Sequence, residues 1–128
     1  MEPVSLGIAA AALLASKFGE GFAEDVGQSA WNAIKRLGEV VAARLRSEPA
    51  AQAAVATMIT APTPENKMAV AAQITAAARS DASFAAQIDQ LVSEARREQV
   101  VDTFVAQAFD SAKQVNIRGD NSGTINLG

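Results

Sequence analysis

The chain has no cysteine, no histidine and no tyrosine among its 128 residues. Without cysteine there is no disulfide framework, thiol nucleophile or thiolate metal site. Without histidine the usual catalytic base and the commonest transition-metal ligand are gone too, which leaves carboxylates, lysines and hydroxyls for chemistry. An enzyme is therefore disfavoured, and no metal or other cofactor is expected. Aromatic residues are scarce at 5%, and the net charge is −3 with a pI near 4.9. Nucleic-acid binders normally carry a basic surplus, so no nucleic acid is expected as a partner.

What is abundant is alanine, at 29 residues, so much of the 49% hydrophobic content is small and favours helix. The length fits one domain able to bury a core. The opening stretch MEPVSLGIAAAALLASKF carries no charge over residues 3–16, with Pro3 where a first helical turn tolerates it. Its large apolar residues Val4, Leu6, Ile8, Leu13, Leu14 and Phe18 surround the helix almost completely, so it must be buried somewhere. Such a helix reaches roughly 21 Å, short of the roughly 30 Å of a bilayer core. A buried core helix, a core helix that also enters a membrane and, least of all, an export signal are the three readings. The signal is disfavoured because Glu2 comes first and Lys17 follows the apolar run.

After the loop-like GEGFAED, the spacing of Val26, Ala30, Ile34, Leu37, Val41 and Leu45 predicts an amphipathic helix over 26–45, with Trp31 beside its stripe. Lys35, Arg36, Arg44 and Arg46, opposed only by Glu39, make its later turns basic. That face is either simply solvated or a contact for anionic lipid headgroups. A third helix is expected from Ser47 and Pro49 to Ile59, with Ala51, Val55, Met58 and Ile59 inward. Thr63 caps a fourth that begins at Pro64, and Asp81 caps the next. The stripe through Phe84, Ile88, Leu91, Val92 and Ala95 resumes at Val101, Phe104, Val105 and Ala108, as one long helix or two. Glu94 and Glu98 read as surface charge. The fold class is all-α, a compact bundle of five or six helices, the first central or packed in a groove, followed by a short β-forming tail.

The tail VNIRGDNSGTINLG, residues 115–128, breaks the helical rhythm. In an extended chain Val115 and Ile117 share one side, as do Ile125 and Leu127 beyond the turn from Gly119 to Gly123. Two such short strands cannot offset the roughly 1–2 kcal/mol of backbone entropy lost per residue. Stacked copies can, each finding backbone partners at about 4.7 Å, with Asn116, Asn121 and Asn126 forming amide ladders. The chain thus divides into a helical bundle, 1–112, and a self-assembly segment, 113–128. An ordinary terminal hairpin is the alternative reading of the same residues.

INLG, from Ile125 to Gly128, resembles the apolar, amide, apolar, glycine core of the animal necroptosis interaction motif, with Asn126 where glutamine is usual. GDNSG is similar to the turns of bacterial amyloid signalling motifs. In bacteria such motifs follow the Bell domain, likened to the HeLo domain of fungal prion-controlled cell-death proteins, and MEPVSLGIAAAALLA resembles the starts of these domains. The resemblance implies a cell-death executioner, cytoplasmic until activated. A receptor with a similar tail would template this one into a homo-oligomeric cross-β stack. The first helix would then enter membrane lipid at the inner face of the cell membrane and form a pore.

Overall fold

The computed structural model describes the backbone of residues 2–16 and 26–123, with side chains described up to Lys113. Among these residues there are six helices and no strand: α1 (Pro3–Ser16), α2 (Gln28–Leu45), α3 (Pro49–Thr60), α4 (Pro64–Ser80), α5 (Ala82–Ala95) and α6 (Gln99–Gly123). The uncharged α1 is the axis of the bundle and touches α2, α4, α5 and α6. Ten of its fourteen residues are buried. An apolar surface all round a helix is satisfied only when neighbours cover every side, and here they do.

Small residues allow the closest of these contacts. Gly7 of α1 packs on α4 so tightly that a Cβ there would meet the Thr75 hydroxyl and stand 2.6 Å from the Ala71 carbonyl oxygen. Thr75 is itself buried, and its hydroxyl donates to the Pro3 carbonyl at 3.2 Å. At the other end of α1 the buried Ser16 hydroxyl donates to the Leu13 carbonyl at 2.6 Å, so neither polar group is left without a partner in the core.

The expected α2 stripe is the buried one: Ala30, Ile34, Leu37, Val41 and Leu45, joined by Ala33, face the core, while Val26 precedes the helix. The long stripe from Phe84 is two helices, parted at Arg96–Glu98. There the Arg96 guanidinium donates to Asp102 at 2.7 Å, and Glu98 accepts from the Gly27 amide at 3.4 Å, tying the turn to the start of α2. Helix starts follow the sequence signals. The Thr63 hydroxyl accepts from the Asn66 amide at 3.1 Å, Asp81 accepts from the Phe84 amide at 3.1 Å, and prolines open α3 and α4.

Ile59 departs from expectation. Instead of facing inward with Ala51 and Met58 it is 40% exposed, one of two large hydrophobic residues so exposed among the described residues. The cause is that α3 leans chiefly on α4 and diverges from α2, so its far end has no cover on that side. Of the expected strand-forming tail, 113–128, only the backbone to Gly123 and the Lys113 side chain are described, so its strands lie outside what the described residues test. α6 keeps helical backbone to Gly123, its side chains beyond Lys113 are not among those described, and residues 124–128 lie outside altogether.

Candidate functional site

Three sets of residues carried functional expectations, and the fold separates them. On α1, Leu6, Leu13 and Leu14 are buried in the core, Ile8 is half-buried and Val4 is exposed at 45%. Phe18 lies outside the described residues. Burying each of those leucines contributes about 2 kcal/mol, so three of them approach the entire stability of a small domain. α1 therefore cannot leave for another environment while the bundle stays folded. Among the described residues no helix is long and apolar enough to cross a membrane.

On α2, the four basic residues have different fates. Lys35, Arg36 and Arg46 are exposed. Arg44 is half-buried and engaged: its guanidinium donates to Asp81 at 3.1 Å and to Glu48 at 3.1 Å, and lies 5.9 Å over the Phe84 ring. It fastens α2 to the α4–α5 junction, so of the four it is the least able to meet a lipid headgroup. Asp81 sits where two interactions favour its charge. The Phe84 amide bond is the larger cause and the Arg44 guanidinium a further one, and together they hold its carboxyl below the usual value against some desolvation. Nothing in the spacing of Arg44 and Asp81, 37 residues apart, announces this pair.

The assembly residues Val115, Asn116, Ile117, Gly119, Asn121 and Gly123 lie on the last turns of α6 by backbone, with side chains outside the described residues. Ile125, Asn126, Leu127 and Gly128 lie outside entirely. Those last turns are a poor helix by composition: two β-branched residues, two glycines, two asparagines and an aspartate within 115–123 each cost helix stability relative to alanine, up to about 1 kcal/mol per glycine.

Two concavities flank these elements. A small cavity of about 150 Å³ lies between α1, α4 and α6, lined by Ile8, Met68 and Phe104 among others. A groove of about 600 Å³ opens between α2 and α3 over Leu14, with Val41, Leu45, Val55, Met58 and Ile59 on its walls. Sequence reasoning missed this groove, although the uncharged run of residues 49–64 was a usable signal, because a fully solvated helix normally carries charge. Among the described residues no group of three or more acidic side chains is arranged to hold a metal ion.

Comparison of the chain with protein-family models, curated proteins and solved structures finds no match.

Proposed function

We propose that the chain is a tail-controlled effector of cell death, cytoplasmic at rest. The segment 115–128 is templated by a like tail on a receptor protein into a cross-β stack, and the crowded helical bodies then act on the inner face of the cell membrane. The observation that carries this is the tail itself: two short apolar-polar alternations around a glycine and asparagine turn, free of proline and with Arg118 and Asp120 cancelling. The low helix propensity of 115–123 makes conversion from helix to strand inexpensive. The uncharged α1 supplies the membrane-active element, but its central position requires that the bundle open when the bodies crowd. Lys35, Arg36 and Arg46 would meet anionic headgroups, and several copies would be needed to line a pore.

The deep burial of α1 favours a second reading, a scaffold whose tails build a filament or closed oligomer while every body stays folded. One experiment separates the two. Purified full-length protein is seeded with tail fibrils in the presence of dye-loaded anionic vesicles. Thioflavin-positive assembly with dye release supports the effector, assembly with intact vesicles supports the scaffold, and a tail that stays monomeric under seeding removes the trigger from both.

A further inference from the structure

The α2–α3 groove is a largely apolar concavity on the side of the bundle. Its floor and walls are apolar, and Ile59 stands exposed at its edge. The outer side of α3, with Gln52, Ala53, Ala56, Thr57 and Thr60 exposed, offers neither charge nor bulk to keep a neighbour away. On α2 the groove is bordered by Glu39, Ala42 and Arg46. These positions share one face, three and then four residues apart, and Arg46 keeps helical backbone angles (φ −57°, ψ −37°) as the cap. Glu39 and Arg46 are exposed and lie about 10 Å apart along the helix, too far to pair with each other. Neither side chain has an ion pair among the described residues.

We infer that two copies associate about a two-fold axis through this groove, with their α2 helices antiparallel. In that arrangement Glu39 of each copy faces Arg46 of the other, the pair occurs twice by symmetry, and Ala42 lies beside the axis where its small side chain permits close approach. The opposite charges at the two ends of the stripe make the surface complementary to itself in the antiparallel sense and repulsive in the parallel one. A vesicle surface fits less well, since the groove border presents one acid and one base rather than a basic rim. The twelve residues of α3 give a face about 18 Å long, which places the contact at the low end of specific interfaces. The dimer is accordingly weak and concentration-dependent. It involves neither the tail nor the release of α1, and of the residues assigned to headgroups it engages only Arg46, so its failure leaves the proposed function standing.

The test uses the full chain carrying Ile117→Asp and Ile125→Asp, so that tail assembly does not contribute. Sedimentation velocity over a rising concentration series should show a monomer–dimer equilibrium. Glu39→Arg and Arg46→Glu should each weaken the dimer about tenfold or more, and the two together should restore it to within about threefold. Ile59→Asp should abolish it. Because the chain has no cysteine, Ala42→Cys gives a single thiol, and a short bismaleimide should link two copies through it in the otherwise unaltered groove. Glu39, Ala42, Arg46 and Ile59 are exposed, so circular dichroism should show unchanged helix content for substitutions there. A chain that stays monomeric throughout, binding to vesicles without self-association, or a dimer indifferent to the charge reversals or not linked through position 42 overturns the inference.

Discussion

Gly7 and Thr75 meet across α1 and α4 with no room for a side chain between them. In an open helix Gly→Ala gains up to about 1 kcal/mol. At this site the sign reverses, because the atoms in the way include the Ala71 carbonyl oxygen, which is backbone and yields little. Gly7→Ala is expected to lower stability by about 1–3 kcal/mol, read as a lower urea midpoint with an unchanged slope. A raised midpoint would show that the two helices stand further apart than described.

Leu13 and Ile59 predict opposite outcomes for the same truncation. Leu13 is fully buried, so Leu13→Ala should cost about 2–5 kcal/mol, through lost burial plus the cavity left behind. Ile59→Ala, at an exposed site, should change stability by about 0.5 kcal/mol or less in the monomer. Chemical denaturation of both variants measures the contrast. Comparable losses would mean that α3 packs closer to α2 than the groove implies.

Asp81 makes stability depend on pH at the acid end. Its folded-state pKa is lowered, so its contribution is fully present above the unfolded value, about 3.9, and is lost as pH falls through the lower folded value. Asp81→Asn keeps an oxygen to cap α5 but gives up the charge facing Arg44, so it should flatten this acid dependence. Asp81→Ala should lose the cap as well and drop the thermal midpoint by a few degrees at neutral pH. Thermal melts from neutral to acid pH would distinguish the two. Equal melting curves for wild type and Asp81→Asn across the acid range would remove Asp81 from the account.

The basic residues of α2 should separate folding from lipid contact. Arg44→Gln is expected to destabilise the bundle, since it breaks the link to Asp81, Glu48 and Phe84. Lys35→Gln and Arg36→Gln should leave the melting temperature unchanged and weaken attachment of assembled protein to anionic vesicles, by about 1 kcal/mol for each charge removed. Vesicle co-sedimentation beside thermal melts would show it. Attachment indifferent to Lys35 and Arg36 would leave α2 as an ordinary solvated face.

Most of the helical body is legible in the sequence, for identifiable reasons. Alanine and leucine periodicity marks α2 and α5, proline at first turns marks α1, α3 and α4, and Thr63 and Asp81 announce their caps. The sequence leaves the break between α5 and α6 open, because Arg96-Arg97-Glu98 is compatible with continuous helix. What closes the matter is one contact across the turn, Arg96 to Asp102, and one tertiary contact, Glu98 to Gly27. The inward placement expected of Ile59 fails for a related reason. A period of three and four shows which side of α3 is apolar but not whether another helix covers it. The weight borne by Gly7 and Thr75 was equally hidden, since a close approach between distant segments leaves no mark in either one.

The burial of α1 in the core also decides which substitutions are informative about membranes. Replacing Leu13 and Leu14 by lysine puts charges into the centre of the bundle and should unfold it, so lost leakage in that variant would say nothing of insertion. Val4→Lys, at an exposed position of the same helix, should preserve the melting temperature and still reduce dye release from vesicles. Undiminished release would exclude the start of α1 from the membrane step.

Residue-resolved amide hydrogen exchange across 115–128, in dilute single-copy protein and again after seeded assembly, bears most directly on the tail. Exchange near the unstructured rate when dilute, because helical turns of such low propensity fray, and strong protection after assembly is the predicted result. Strong protection in the dilute protein, unchanged on seeding, would mean that the tail is ordered by its own bundle and would contradict templated stacking.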